Sequence, residues 1–386
     1  MHNPFDYLAL VIIFLTQWCL SRQLLKAARR RYSRRAVSLL RAALAAFYIL
    51  MAAAFSLGIS VVADQFNLPA AFEQIAGAVA QIWLFGSTAG YLLYLGWRLL
   101  ARRVWRSDPD PARRHLIRAT GGALMAAPFA LVGYGTFVER LRFRVREVDI
   151  PIPHLPGDLV GLRLAQVSDI HLSAFLSEKD LARVIDCANG LRPHVALVTG
   201  DLITDAGDPL DACLQQLARL RAEGGILACM GNHEYYARLE DYAERQGARL
   251  GIRFLRRQAV PLRFGRGVLN VAGVDYQRSG SHYLRDAERL VLPGACNVLL
   301  SHNPDVFPVA ARQGYDLTVS GHTHGGQVSV EILHQQVNPA RFTTPYVYGL
   351  YREKAAAYVT RGIGTIGIPA RIGAPPEIAL LRLRKA

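Results

Sequence analysis

Five apolar runs in this chain each lead into residues that bind metal ions, and this repeated junction restricts the possible folds more than any other feature. The runs are Leu164 to Val167, Val195 to Val198, Ile226 to Met230, Val298 to Leu300 and Leu317 to Val319. They lead to Ser168-Asp169-Ile170-His171, Gly200-Asp201, Gly231-Asn232-His233-Glu234, Ser301-His302-Asn303 and Gly321-His322-Thr323-His324. Short apolar runs with turn residues at their ends read as buried strands. The polar residues then stand at strand C-terminal ends, where ligands bind in a parallel α/β sheet. Carboxylate, imidazole and amide groups without a thiolate suit two borderline-hard divalent cations better than a structural zinc. Two such ions side by side clamp and hydrolyse phosphate esters.

The surrounding pattern agrees with strands and helices in alternation. Leu181, Val184, Ile185 and Ala188 share one helical face, closed by Asn189-Gly190. Leu210, Leu214 and Leu217 do likewise in the next helix, closed by Gly224-Gly225. This alternation predicts βαβ units and a parallel sheet. After Ile252 the pattern turns to short strands, Ala259 to Phe264 and Val268 to Val274, joined at Gly265-Arg266-Gly267. Leu141 to Ile150 alternates apolar and charged residues, as a half-buried outer strand does, until Pro151, Pro153, Pro156 and Gly157 break it.

The 51% hydrophobic fraction is spread unevenly. Long apolar stretches at about 5–21, 39–63, 71–100 and 116–138 fill the first 140 residues. Three of them reach the roughly 20 residues that a spanning helix needs, and none shows the polar face of a soluble helix. Residues 1–150 hold 19 Lys and Arg against 8 Asp and Glu, so the net charge of +15 belongs mainly to this half. No basic and aromatic stripe runs through the other half, so no nucleic-acid partner is expected. Loop one carries Arg22, Lys26, Arg29, Arg30, Arg31, Arg34 and Arg35, and loop three Arg98, Arg102, Arg103, Arg106, Arg113, Arg114 and Arg118. Loop two, near Asp64 to Pro69, has neither Lys nor Arg. The positive-inside rule puts loops one and three in the cytoplasm and both ends of a four-span chain outside. Arg140, Arg142, Arg144 and Arg146 oppose this weakly, because they precede a long domain. The expected division is a transmembrane anchor over 1–140, a connecting segment over 141–157 and a catalytic domain over 158–386. Gly86 and Gly90 form a GxxxG pair that suits helix packing. The spans carry little charge away from their ends, which argues for an anchor and against a transporter.

The ordered series D-x-H, GD, GNH, H and GHTH resembles the calcineurin-like metallophosphoesterases. GHTHGGQ at Gly321 to Gln327, with Gly161-Leu162-Arg163 and Pro376-Glu377-Ile378, is similar to the bacterial membrane-associated branch of that family. The resemblance covers roughly residues 148–386 and leaves out 1–140. It implies an α/β fold, a sandwich of two mixed β-sheets flanked by helices, here behind a bundle of about four transmembrane helices. It also implies two divalent ions, whether Mn, Fe or Zn. One would take Asp169, His171, Asp201 and His324, the other Asp201, Asn232, His302 and His322. A water bridging the ions would be the nucleophile. His233 would stand beside the scissile phosphate as the catalytic residue.

The implied function is a membrane-anchored hydrolase of phosphomonoester, phosphodiester or pyrophosphate bonds, in an inner membrane with its site on the periplasmic face. A lipid-linked or envelope substrate is the narrower version. The rival is a non-catalytic sensor or scaffold retaining the fold, and the intact ligand set argues against it. Glu234 is expected to support the site or lie on the surface. His282 is expected to start a helix, and Tyr235, Tyr236 and Tyr276 to line a pocket or pack. His2, His115, His154, His194 and His334 match no motif and are read as solvated. The five cysteines form no CxxC pair; Cys19 falls in the first span, and Cys187, Cys213, Cys229 and Cys296 read as small buried residues.

Overall fold

The computed structural model describes residues 4–56, 70–104, 110–278, 280, 282–332 and 335–386. The chain divides into two units, Met1–Tyr134 and Gly135–Ala386.

The first unit holds helices α1 (Pro4–Ala28), α2 (Arg34–Ser56) and α3 (Ala70–Val104), and most of α4 (Pro111–Phe137). They lie on the four apolar stretches. The segment predicted over 39–63 is described only to Ser56, and loop two lies outside the described residues. α1 runs seven residues past its predicted end, through Arg22 and Lys26, because Arg and Lys are good helix formers. α4 opens with Pro111 at its first position, where the missing N–H costs nothing. Gly90 lets α3 approach α4 closely: a Cβ there would sit 2.3 Å from the Met125 carbonyl oxygen. Among the described residues, Pro111–Leu141 is the segment long and apolar enough to cross a membrane.

The second unit carries two six-stranded sheets. The first contains β1 (Arg144–Ile152), β2 (Arg163–Val167), β3 (Val195–Val198), β4 (Ile226–Ala228), β5 (Ile252–Phe254) and β14 (Glu377–Lys385), in the order β1-β14-β2-β3-β4-β5. The second contains β6 (Gln258–Phe264), β7 (Gly267–Gly273), β8 (Cys296–Leu300), β9 (Leu317–Ser320), β12 (Gly349–Arg352) and β13 (Ala356–Val359), in the order β12-β13-β9-β8-β7-β6. A small hairpin pairs β10 (Val330–Ile332) with β11 (Gln335–Val337). Both large sheets are mixed. β2 to β5 run parallel, while β14 is antiparallel to β2. β7, β8, β9 and β13 run parallel, while β6 and β12 are antiparallel. The five site-bearing runs therefore divide between two sheets: β2, β3 and β4 in one, β8 and β9 in the other.

Alternation along the strands explains the layers. Val195 and Leu197 of β3 face the interior of the sandwich, with Leu164, Leu227, Leu269, Val271, Val298 and Leu317. Ala196 and Val198 face the other way, against helices α5 (Glu178–Gly190) and α6 (Leu210–Leu217). Leu181, Val184, Ile185 and Ala188 of α5 are buried there, as its periodicity predicts. Ser177 caps α5, accepting from the Asp180 N–H. α6 ends at Leu217 rather than at Gly224-Gly225; that glycine pair instead forms the turn that feeds β4, where Gly224 N–H bonds the His194 carbonyl. α7 (Asn232–Ala237) and α8 (Glu240–Arg249) complete this layer, and α9 (Phe307–Gln313) covers the second sheet. No helix starts at His282: turns follow it, and the next helical residues are Ala287–Leu290.

Candidate metal centre

The first, second and fifth motifs leave their strands through sharp turns. Asp169, His171, Asp201, His322 and His324 all have positive φ, between 46° and 75°. Such backbone costs on the order of 1–3 kcal/mol per non-glycine residue and persists where the surroundings hold it. Here it turns side chains from neighbouring strands toward one place. Asp169 and His171 follow β2, Asp201 follows β3, and Asn232 and His233 open α7 beyond β4. His302 follows β8, and His322 and His324 follow β9. Glycine makes room: a Cβ at Gly231 would lie 2.1 Å from Asp201 Oδ1, and one at Gly321 2.2 Å from Asp169 Oδ2.

The ligand atoms of Asp169, His171 and His324 lie within 4.8 Å of one another, as do those of Asp201, His302 and His322, and those of His171, Asp201 and His233. His171 Nε2 faces His324 Nε2 at 3.2 Å, and His302 Nε2 stands 3.0 Å from Asp201 Oδ2. Asp169, His171, Asp201, Asn232, His302 and His324 are buried, while His322 and His233 are partly exposed.

Three atoms in this group are buried without a hydrogen-bond partner: Asp169 Oδ2, Asn232 Oδ1 and His302 Nε2. His302 Nε2 is close to Asp201 yet out of hydrogen-bonding geometry. Orphaned buried polar atoms are costly. Oxygen and nitrogen atoms orphaned together, beside the imidazoles of His171, His322 and His324 and a second carboxylate, fit divalent cations. No cysteine joins these groups among the described residues, and all five are free thiols.

The charges tell the same story. Burial, helped by the neighbouring Asp201, raises the Asp169 carboxyl to about 6. Burial lowers His171 to about 3 and, with His302 beside it, His322 to about 4; His324 is also pushed well down. Burial opposes charge on His302 too, but the carboxylates of Asp201 and Asp169 outweigh it and lift His302 to about 10. Burial opposes ionisation of Asp201, and His302 overrides it, holding that carboxylate well below its usual range. Burial thus favours neutral imidazoles at His171, His322 and His324, the state a cation ligand needs, whereas His302 keeps a proton beside the Asp201 carboxylate that a bound cation would replace.

A supporting layer orients these side chains. His302 Nδ1 donates to the Thr199 carbonyl at 2.6 Å, which turns its Nε2 inward. His233 Nδ1 donates to the Thr204 carbonyl at 2.6 Å. Asp169 Oδ1 accepts from His322 N–H at 2.8 Å, and Asp201 Oδ1 from His233 N–H at 3.0 Å. Glu234 is fully buried and is no surface residue. It accepts from the N–H groups of Asp201 at 2.9 Å, Leu202 at 2.7 Å and Gly231 at 2.8 Å, and so locks the second motif to the third.

Arg371 escapes a reading from sequence. It is fully buried and donates to the carbonyls of Gly364 at 2.9 Å, Ala374 at 3.0 Å and Arg361 at 2.8 Å. Its other contacts, at 3.4 Å, are the carbonyl and Nδ1 of His324. The available signal is that Arg371 is the one charge between Arg361 and Glu377. Tyr276 stands 5.8 Å from the His322 ring, and Tyr236 6.3 Å from His233, with Tyr235 against both tyrosines. His194 is not free: its Nδ1 accepts from Arg163 N–H. His154 and His115 are exposed, and His2 and His334 lie outside the described residues.

The calcineurin-like phosphoesterase family model matches residues 162–326, which include every residue of these groups. A transmembrane protein with metallophosphoesterase domain from Danio rerio is 33% identical over 315 residues, spanning 77% of this chain and 69% of that protein. An uncharacterized metallophosphoesterase from Aquifex aeolicus is 30% identical over 264 residues, 66% of this chain and 97% of that protein. One from Bacillus subtilis is 27% identical over 280 residues, 71% of this chain and 98% of that protein. With relatives of this identity and coverage, and a family match lying across the centre just described, the chain belongs to the calcineurin-like metallophosphoesterases and is a phosphoester hydrolase.

Proposed function

We propose that this hydrolase works with two divalent ions, drawn from Mn, Fe or Zn, and that it does so at a membrane. Asp169, His171, Asp201 and His324 would hold one ion; Asp201, Asn232, His302 and His322 would hold the other. The observation that carries this reading is the convergence of two buried groups, Asp169-His171-His324 and Asp201-His302-His322, with orphaned ligand atoms in both. When bound, such a pair supplies charge that stabilises the phosphoryl group and acidifies water.

The protein's own residues do the rest. His233 Nδ1 is engaged with Thr204, so its Nε2 is the atom left to handle a proton at the leaving oxygen or to donate to a phosphoryl oxygen. The Asp201 backbone is held by Glu234, so its carboxylate stays between the two groups. The close grouping of His171, Asp201 and His233 favours one second reading, in which His233 is itself a ligand.

The helical unit is read as a four-span anchor. Phe14, Leu39 and Ile49 are each 70% exposed or more, a pattern that suits lipid. The Danio rerio relative is a transmembrane protein by name. Basic loops one and three then lie in the cytoplasm, and the hydrolase unit lies outside, on the periplasmic face of an inner membrane. An ester of a membrane lipid or envelope component is the substrate this location favours. Reporters fused after Pro156 test the location: alkaline phosphatase should be active there and a cytoplasm-only fluorescent protein dark. Turnover tests the chemistry. The metal-loaded full chain should hydrolyse a chromogenic phosphodiester, and a lipid panel should hold better substrates. Activity that survives complete metal removal would sink the two-ion reading.

A further inference from the structure

In the helical unit, Cys19, Arg22, Gln23, Leu25 and Lys26 of α1, Arg29 in the turn just after it and Tyr91 of α3 line a groove of about 480 Å³. Arg22 and Lys26 are four residues apart and share one face of α1, and Arg29 follows in the next turn, its N–H bonded to the Leu25 carbonyl at 3.0 Å. No carboxylate lines the groove, and among the described residues none pairs with any of the three cations. The walls are tied together, since Gln23 Nε2 donates to Tyr91 OH at 2.9 Å. Earlier in α1, Gln17 Nε2 donates to Ser87 Oγ at 2.7 Å, and Tyr48 OH donates to Gln17 Oε1 at 3.2 Å, which ties α1 to its neighbours. The Arg22 guanidinium lies 4.7 Å over the ring of Trp18, a residue type that favours the membrane interface. Trp18 stays exposed beneath Arg22, and Leu25 lines the groove.

We propose that this groove binds the phosphate of an anionic phospholipid headgroup in the cytoplasmic leaflet, a proposal that rests on the membrane reading of the helical unit. Three cations lining one groove with no carboxylate beside them suit a phosphate, and the apolar Trp18 and Leu25 suit the acyl chains attached to it. A soluble phosphate would gain nothing from those apolar groups.

The test uses the full chain in detergent, offered equal phosphatidylglycerol and phosphatidylcholine, with bound lipid read by native mass spectrometry. Wild type should retain phosphatidylglycerol about tenfold over phosphatidylcholine. The triple variant Arg22→Gln, Lys26→Gln, Arg29→Gln should lose that preference. A control, Arg30→Gln, Arg31→Gln, Arg34→Gln, removes the same charge from the same loop outside the groove and should keep it. Inorganic phosphate in large excess should not displace the lipid. Turnover equal to wild type in both variants confirms that they fold. Equal retention of the two lipids, equal loss in both variants, or displacement by phosphate would each overturn the proposal. Carbonate extraction of membranes separates the two levels. Release of the chain would overturn the membrane reading and the groove together, whereas a chain that stays without lipid preference overturns the groove alone.

Discussion

Among the described residues of the helical unit, the buried polar side chains are neutral. Thr16, Gln17, Ser87 and Thr88 lie inside, and Gln17 links α1, α2 and α3 through Ser87 and Tyr48. In the hydrolase unit the buried polar side chains include Asp169, Asp201, His302 and Arg371, all ionisable. Gln17, Ser87, Thr88 and Tyr48 bond one another, so they join helices. In the metal centre Asp169 Oδ2, His302 Nε2 and the amide oxygen of Asn232 are left orphaned, so they require something else to be stable. Completeness of hydrogen bonding, more than polarity, separates a structural contact from a reactive site.

Substitutions can break that contrast, and the largest effect is expected at Asp201. Asp201→Asn should lower turnover by at least about a thousandfold and reduce bound metal, because this carboxylate, 3.0 Å from His302 Nε2 and 3.6 Å from His171 Nε2, is proposed to touch both ions. Near-normal turnover with full metal content would contradict it. His233→Ala should cost about a hundredfold or more in turnover while both ions stay bound. Metal loss in that variant, read by elemental analysis, would instead make His233 a ligand.

Arg371 tests the layer behind the ligands. Arg371→Met removes the donors that hold the loop 361–374 against His324, and metal affinity should fall about ten- to a hundredfold, read by competition with a chelating dye. Unchanged affinity with lowered thermal stability would reduce Arg371 to packing. Gln17→Leu probes the other side of the comparison and should cost only about 1 kcal/mol of stability with no change in turnover, since a neutral hydrogen bond between helices is worth little. A larger loss, or a change in turnover, would show that the helical unit does more than anchor.

How much of this could be read from the chain alone depends on how local the signal is. The junctions from apolar strand to polar turn are local, so β2, β3, β8 and β9 and the residues following them were legible, as were their ligand types. The hairpin at Gly265 was legible for the same reason. Thr199, Thr204 and Arg371 were not, because they act on His302, His233 and His324 through backbone carbonyls or from across the fold. Nothing near Thr199 in sequence announces that its carbonyl faces His302. The end of α6 was misread because Gly224-Gly225 is a genuine turn signal that serves the next strand. The reach of α1 past Arg22 was missed because a basic run at a membrane edge reads as a loop, although its residues favour helix.

The central claim is that the two buried groups around Asp201 each hold one ion. Elemental analysis of the purified full chain, after saturation with divalent metal and removal of the excess, tests it most directly. The account predicts two ions per chain for wild type and for His233→Ala, and fewer than two for Asp201→Asn. One ion or none in the saturated wild-type protein would contradict it.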